Sequence, residues 1–319
     1  MSLWLSCYIT IGKYYFEHVH ELSIVKSRKR IANTATIKLP NRYSGEFLCN
    51  HIKGGDPVSI SIGYNDELRE EFVGYISEVE FNTPVVITCE DEIYNLKRRK
   101  PTAKSWPSTT LAEVLKYLVP DATLTGVPDV TLAPFYVYAD KSVASALQEL
   151  RDNFGLEINF RGKNLFVGVP LTEPDAANAE TVIYDIEKNV IDPRLNFRRA
   201  EDVRIKVNAK SITADNKVLT AEAGDADGSS TTMHFYNITS VAELQRQAEE
   251  KLKVLKYDGF RGSLTTFGLP YVEPGNVARI IDRRFDNIRT GSYFVDSVET
   301  TFGVNGFRRE VEIGRRAAS

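Results

Sequence analysis

Histidine, cysteine, methionine and tryptophan are all scarce in this chain of 319 residues, at four, three, two and two. Cys7, Cys49 and Cys89 are odd in number and have no CxxC spacing, which excludes a disulfide framework or zinc knuckle and suits a reducing compartment. Four histidines leave little for metal or triad chemistry. His18 and His20 are expected to share a strand face, but no third ligand stands near them. Cys49 and His51 are neighbours without the surroundings of a thiol nucleophile and its base. No apolar run approaches the ~20 residues that cross a bilayer. The apolar start, residues 1–11, lacks a basic region and a small-residue cleavage site, so it reads as a first strand and implies cytoplasmic synthesis. Charge of one sign is missing too. Forty Lys and Arg against 43 Asp and Glu give −3, and no case for binding nucleic acid or an anionic membrane. The basic clusters at 28–30, 97–100, 283–284, 308–309 and 315–316 have acidic neighbours, and read as solvated faces or subunit contacts.

Catalytic signatures are absent as well: there is no GxSxG, HExxH, Walker loop or strand–GxGxxG–helix. Asp225-Ala226-Asp227-Gly228 begins like a calcium loop, but the position of the bidentate Glu is Tyr236. The acidic residues always allow some pair with glycosidase spacing, and nothing selects one. The sequence nominates no catalytic, cofactor-binding or metal residue and implies no cofactor.

Pattern, by contrast, is plentiful. Residues 1–99 alternate with period two in short runs such as Val58-Ser59-Ile60-Ser61-Ile62, separated by turn residues, and predict a β-barrel. Residues 100–170 predict a small α/β unit. Its first helix opens on a capping box, Thr110 to Glu113, and ends at Pro120; its second runs from Ser142 to Gly155; a hairpin about 161–164 follows. Residues 170–179 read as a linker. Strands resume over 171–319, with a turn at Asp215-Asn216, a flexible loop at Gly224–Ser230, and one long helix near 240–257 opened by a second capping box, Ser240 to Glu243. The fold class expected is mainly β (α+β): two related barrels of the tube type with a small α/β domain between them.

The two β regions share a phrase. Gly55-Asp56-Pro57-Val58 leads through an alternation to Tyr75-Ile76-Ser77-Glu78-Val79-Glu80. Gly275-Asn276-Val277 leads likewise to Phe294-Val295-Asp296-Ser297-Val298-Glu299, one residue shorter, a difference attributed to Pro57. The C-terminal copy, preceded by Gly259–Pro270 and followed by Gly306–Glu312, resembles the baseplate hub proteins of contractile-tailed phages, the late control protein D family. That fold recurs in the N-terminal part of the type VI secretion spike. The helix–Gly–hairpin block, Ser142 to Gly168, is similar to the family's middle unit.

The resemblance implies a non-enzymatic homotrimer. Six related units in it would adapt a sixfold tail tube to a threefold spike, within a virion baseplate or injection machine. Its implied partners are further copies of itself, the tube protein and the central spike, with the tape-measure protein as an additional candidate. The competing readings are a host-surface carbohydrate-binding module, which would show an exposed aromatic platform, and a cell-wall hydrolase.

Overall fold

The computed structural model describes residues 3–43, 45–162, 164–169, 179–213, 217–236, 238–285 and 289–317. The expected linker up to residue 178 and the Asp215-Asn216 turn lie outside the described residues. Thirteen strands form one sheet that runs through both β regions. The chain is mainly β, with four described α-helices.

Seven of the sheet's strands come from the N-terminal region: Leu5–Ile11, Tyr14–Phe16, Glu21–Ser27, Thr34–Leu39, Pro57–Tyr64, Glu67–Glu80 and Val85–Glu90. Their alternation sends Ile9, Leu22, Ile37, Ile60 and Ile87 into one core, each fully buried. The tight turn at Asn65-Asp66 holds both residues at positive φ, 53° and 65°, the geometry that matches the right-handed twist of a hairpin. Phe302 and Phe307, from the last hairpin of the chain, complete this core.

The middle unit packs helices Leu111–Leu118 and Val143–Phe154 on the hairpin Glu157–Arg161/Asn164–Gly168. The Thr110 hydroxyl accepts from the Glu113 amide, and Glu113 accepts from the Thr110 amide, so the capping box forms. Gly155 ends the second helix at φ +59°, where a Cβ would lie 2.4 Å from the His234 ring. A short helix, Ile93–Arg98, contributes Ile93 and Leu96 to the same core, so packing of this unit begins before residue 100.

The C-terminal β unit consists of Thr181–Asp185, Val190–Arg198, Gly259–Phe267, Val277–Ile281, Gly291–Gly303 and Gly306–Arg316, closed over Tyr184, Leu264, Ile280, Val295 and Val311. Between Arg198 and Gly259 lies an insert with its own core of Val207, Ala209, Met233, Leu244 and Ala248. Its strands Ile205–Ile212, Val218–Gly224 and Ser229–Tyr236 form a separate sheet, covered by helix Val241–Leu255. Sequence pattern alone does not separate this insert from the second barrel.

Two local expectations need correction. Ser240 precedes the helix but makes no side-chain cap, and the Glu243 carboxylate, which would supply the other half of the box, is instead bonded by Arg246 and Gln247. Gly224–Ser230 is no loose loop: its ends belong to strands, and Asp225 accepts from the Ile205 amide and from Lys256.

Candidate assembly interface

The repeated phrase is a repeated structure. The Gly55 amide donates to the Ile76 carbonyl and the Ile76 amide to Asp56, at 2.8 and 3.0 Å. The Gly275 amide donates to Val295 and the Val295 amide to Asn276, at 2.8 and 2.9 Å. Both glycines have positive φ, 91° and 96°. Asp56 and Asn276 each use a side-chain oxygen to hold the amide three residues earlier, of Lys53 and Glu273. Each long strand then bulges one residue on, at Ser77 and at Asp296.

Pro57 pairs with Tyr75 as Val277 pairs with Phe294, so Pro57 is not the extra residue. The difference falls beyond the fourth pair of the hairpin, Ile60 with Phe72. There a bulge in the first copy leaves Glu71 without a strand partner. Strand order is shared as well: 57–64, 67–80, 85–90, 34–39, 21–27 in the first unit, and 277–281, 291–303, 306–316, 259–267, 190–198 in the second. The copies differ at the next strand, because Leu5–Ile11 joins antiparallel and Thr181–Asp185 joins parallel.

The units meet edge to edge. Gly291–Gly303 pairs with Glu21–Ser27 from Ser297/Ser27 to Gly303/Glu21. Beneath this seam lies a buried charge cluster. Arg309 and Glu71 are 2% and 3% exposed. The Arg309 guanidinium donates to both Glu71 oxygens, to Thr300 Oγ1 at 2.9 Å and to the Gly268 carbonyl at 2.6 Å. Lys26 bridges to Glu273 at 2.6 Å and lies 4.0 Å from Glu71. The residue left over by the first bulge therefore becomes the ion-pair partner of the second unit.

The middle unit is held by similar means. Arg28 donates to Glu157 and Asn33 to the Phe160 carbonyl. Asp91 accepts from the Asn33 and Ile93 amides; its burial outweighs these bonds and pushes its carboxyl up to about 7.

Among the edges of the large sheet that lack a partner, two stand in positions that the repeat relates. Among the described residues no strand pairs with the outer side of Val190–Arg198. None pairs with residues 77–80 on the side away from Val85–Glu90. By position in the repeat, these two edges correspond to the two that meet at the internal seam.

The residues whose chemistry drew notice in the sequence are not assembled into a centre. His18 and His20 lie between strands and are exposed. His51 stands between Tyr14 Oη at 3.0 Å and Glu46 at 3.2 Å; Cys49 is exposed and contacts Asn50. Among the described residues no group of three His, Cys, Asp or Glu is placed to hold a metal. The basic pair Arg308-Arg309, expected to be solvated or to touch another subunit, divides. Arg308 lies over the Phe267 ring at 4.6 Å, but Arg309 is core. Strand alternation, which groups Arg309 with Phe307, Val311 and Ile313, carries that signal.

No family model and no curated protein matches the sequence. Solved structures do. A tail protein from Neisseria meningitidis MC58 is 14% identical, covers 97% of this chain and 96% of its own, and superposes with a TM-score of 0.64. The 43 kDa tail protein of prophage MuSo2 from Shewanella oneidensis is 12% identical over 98% of both chains, at 0.65. An Escherichia coli component of the type VI secretion system, described as similar to bacteriophage T4 tail proteins, is 8% identical over 96% of this chain and 76% of its own, at 0.59. From end to end, then, the chain has the fold of phage tail proteins and of their type VI secretion counterpart.

Proposed function

We propose that this protein is a structural hub of a contractile phage tail baseplate or related injection machine. Three copies close into a pseudo-sixfold ring that joins the tail tube to the central spike. The observation that carries the reading is the repeat itself, with the same turn, bulge and strand order in two units that pair edge to edge. A protomer holding two equivalent units joined in this way is one third of a six-unit ring. Cyclic closure also pairs the two repeat-related edges, which would otherwise invite uncontrolled pairing. The end-to-end likeness to tail proteins supports the same role. The role is assembly rather than catalysis. The tube protein and the spike are its partners on opposite faces of the ring, and the tape-measure protein is a further candidate in the lumen. Synthesis in the bacterial cytoplasm and incorporation into a virion tail or injection machine follow from that role.

One observation favours a second reading, a carbohydrate-binding surface. Trp4, Tyr8 and Tyr15 are 56%, 41% and 52% exposed, and the two tyrosine rings stack 5.9 Å apart.

Light scattering on a sizing column, over a hundredfold concentration range, separates the readings. A three-chain species supports the hub. A monomer or dimer that binds cell-wall glycans saturably, and loses this on Tyr15→Ala, supports the second reading.

A further inference from the structure

Resting on the ring reading, the repeat also assigns the contact between copies residue by residue. We infer that residues 77–81 of one protomer pair antiparallel with residues 195–199 of the next, in the register that joins the two units inside each chain. Observed pairs alone set this register. Ile76 corresponds to Val295 through the shared turn, so Glu78, Val79 and Glu80 correspond to Ser297, Val298 and Glu299. Across the sheet, Ile87 corresponds to Val311 and Ile37 to Leu264, because each pairs in turn with Val79 or Val298 and then with the next strand inward. One strand further, Leu22 is opposite Ile37 and Pro193 is opposite Leu264, so strand 21–27 corresponds to strand 192–198.

Inside the chain Ser297, Val298 and Glu299 face Ser27, Lys26 and Val25. Transferred by the repeat, Glu78 faces Arg198, Val79 faces Phe197 and Glu80 faces Asn196 of the neighbouring copy. Extending the register by one residue sets Phe81 against Leu195.

Side-chain chemistry, which played no part in fixing the register, fits the transfer. Glu78 and Arg198, both exposed, become an opposed ion pair on the polar face of the sheet. Val79 and Phe197 lie on the core-facing side, each packed partly against its own unit, and the pairing brings the two cores together as Phe302 already does at the internal seam. Phe81 is 53% exposed in the single chain and would be covered. The backbone offers one more match. At the internal seam the Asp296 carbonyl, at the bulge, accepts from the Arg28 amide at 2.9 Å. Its counterpart is the Ser77 carbonyl, and the amide presented to it is that of Arg199. The result is a head-to-tail contact in which every seam of the ring, within or between chains, follows one rule.

Directly opposed residues on antiparallel strands have Cβ atoms about 4.5–5.5 Å apart, close enough for oxidative cross-linking after small adjustment. The test uses the full chain with exposed Cys49 replaced by Ser, Cys7 and Cys89 being buried. Glu80→Cys with Asn196→Cys is compared with the off-register pair Glu80→Cys with Arg194→Cys. Val25→Cys with Glu299→Cys, opposed within one chain, is the positive control. Mild copper-catalysed oxidation at a concentration where the protein is oligomeric is expected to give covalent trimers from the in-register pair, few from the off-register pair, and only monomers from the control. A three-chain species by light scattering that cross-links preferentially off register, or not at all while the control reacts, overturns the register and leaves the ring standing. A protein that remains monomeric at every concentration, with no cross-linked species, overturns the ring and this contact together.

Discussion

Arg309 is the side chain whose removal probes the seam between the two β units most sharply. In Arg309→Met, Glu71 keeps its place at 3% exposure but loses both hydrogen bonds from the guanidinium, retaining only Lys26 at 4.0 Å. Thr300 Oγ1 and the Gly268 carbonyl lose a donor as well. Breaking a buried ion pair from one side costs about 3–5 kcal/mol, because the remaining charge has been taken out of water and is left uncompensated. Glu71→Gln should cost less, since the guanidinium keeps Thr300 and Gly268. The double variant Glu71→Leu/Arg309→Met buries no charge and replaces the cluster by apolar side chains. It should recover to within about 2 kcal/mol of the natural protein, as buried pairs exchanged for well-packed apolar residues often do. The assay is equilibrium urea unfolding followed by far-ultraviolet circular dichroism, with the coupling energy taken from the double-mutant cycle. If each single change costs under about 1 kcal/mol and the two add, the cluster is solvated and does not clamp the units, and the reasoning fails.

Other perturbations test other parts of the fold. Asp91 holds its proton up to about pH 7 when folded, against about 3.8 as the ordinary value. The folded state therefore binds more protons between those values, and this group's contribution to stability falls as pH rises from about 4 to 7, by at most about 4 kcal/mol, and is level above. Asp91→Asn should flatten that segment of the urea-midpoint profile, lowering stability near pH 4, where one of its two backbone bonds is lost, but not near pH 7, where it escapes the cost of a buried charge; an unchanged slope would refute the assignment. Thr110→Ala removes the capping box of helix Leu111–Leu118 and should cost about 1 kcal/mol, read as a lower melting temperature. Burial pushes the Cys7 and Cys89 thiols up to about 11 and about 12. A thiol reagent at pH 8 should thus titrate one cysteine of the three in the native protein, Cys49, and all three in urea.

Much of the architecture is legible in the sequence because it depends on local pattern. The alternation of Val58 to Ile62, the capping box at Thr110 and the αL stop at Gly155 each encode their own geometry, and each stands where the pattern puts it. The repeat is legible for the same reason, since Gly55 and Gly275 both occupy a turn that demands positive φ. What escapes pattern depends on partners distant in sequence. The 205–255 insert has ordinary strand and helix patterns, and only its separate core sets it apart from the barrel that flanks it. Glu71 carries no local sign of burial, because a bulge turns it inward toward an arginine 238 positions away. Ser240 and Glu243 match a capping box, but Arg246 and Gln247, one turn on, compete for the carboxylate. The open edges at residues 77–80 and 190–198 have no sequence signature at all: an open edge is defined by which strands are absent from it.

Single-particle imaging of the assembled protein, without imposed symmetry, decides whether three copies close into a ring. The expected image is a ring with threefold symmetry and six similar lobes around a central opening, the lobes joined alternately by seams within and between chains. A twofold particle, or a threefold one in which the N-terminal and C-terminal β units lie at different heights and never alternate around the opening, would contradict it.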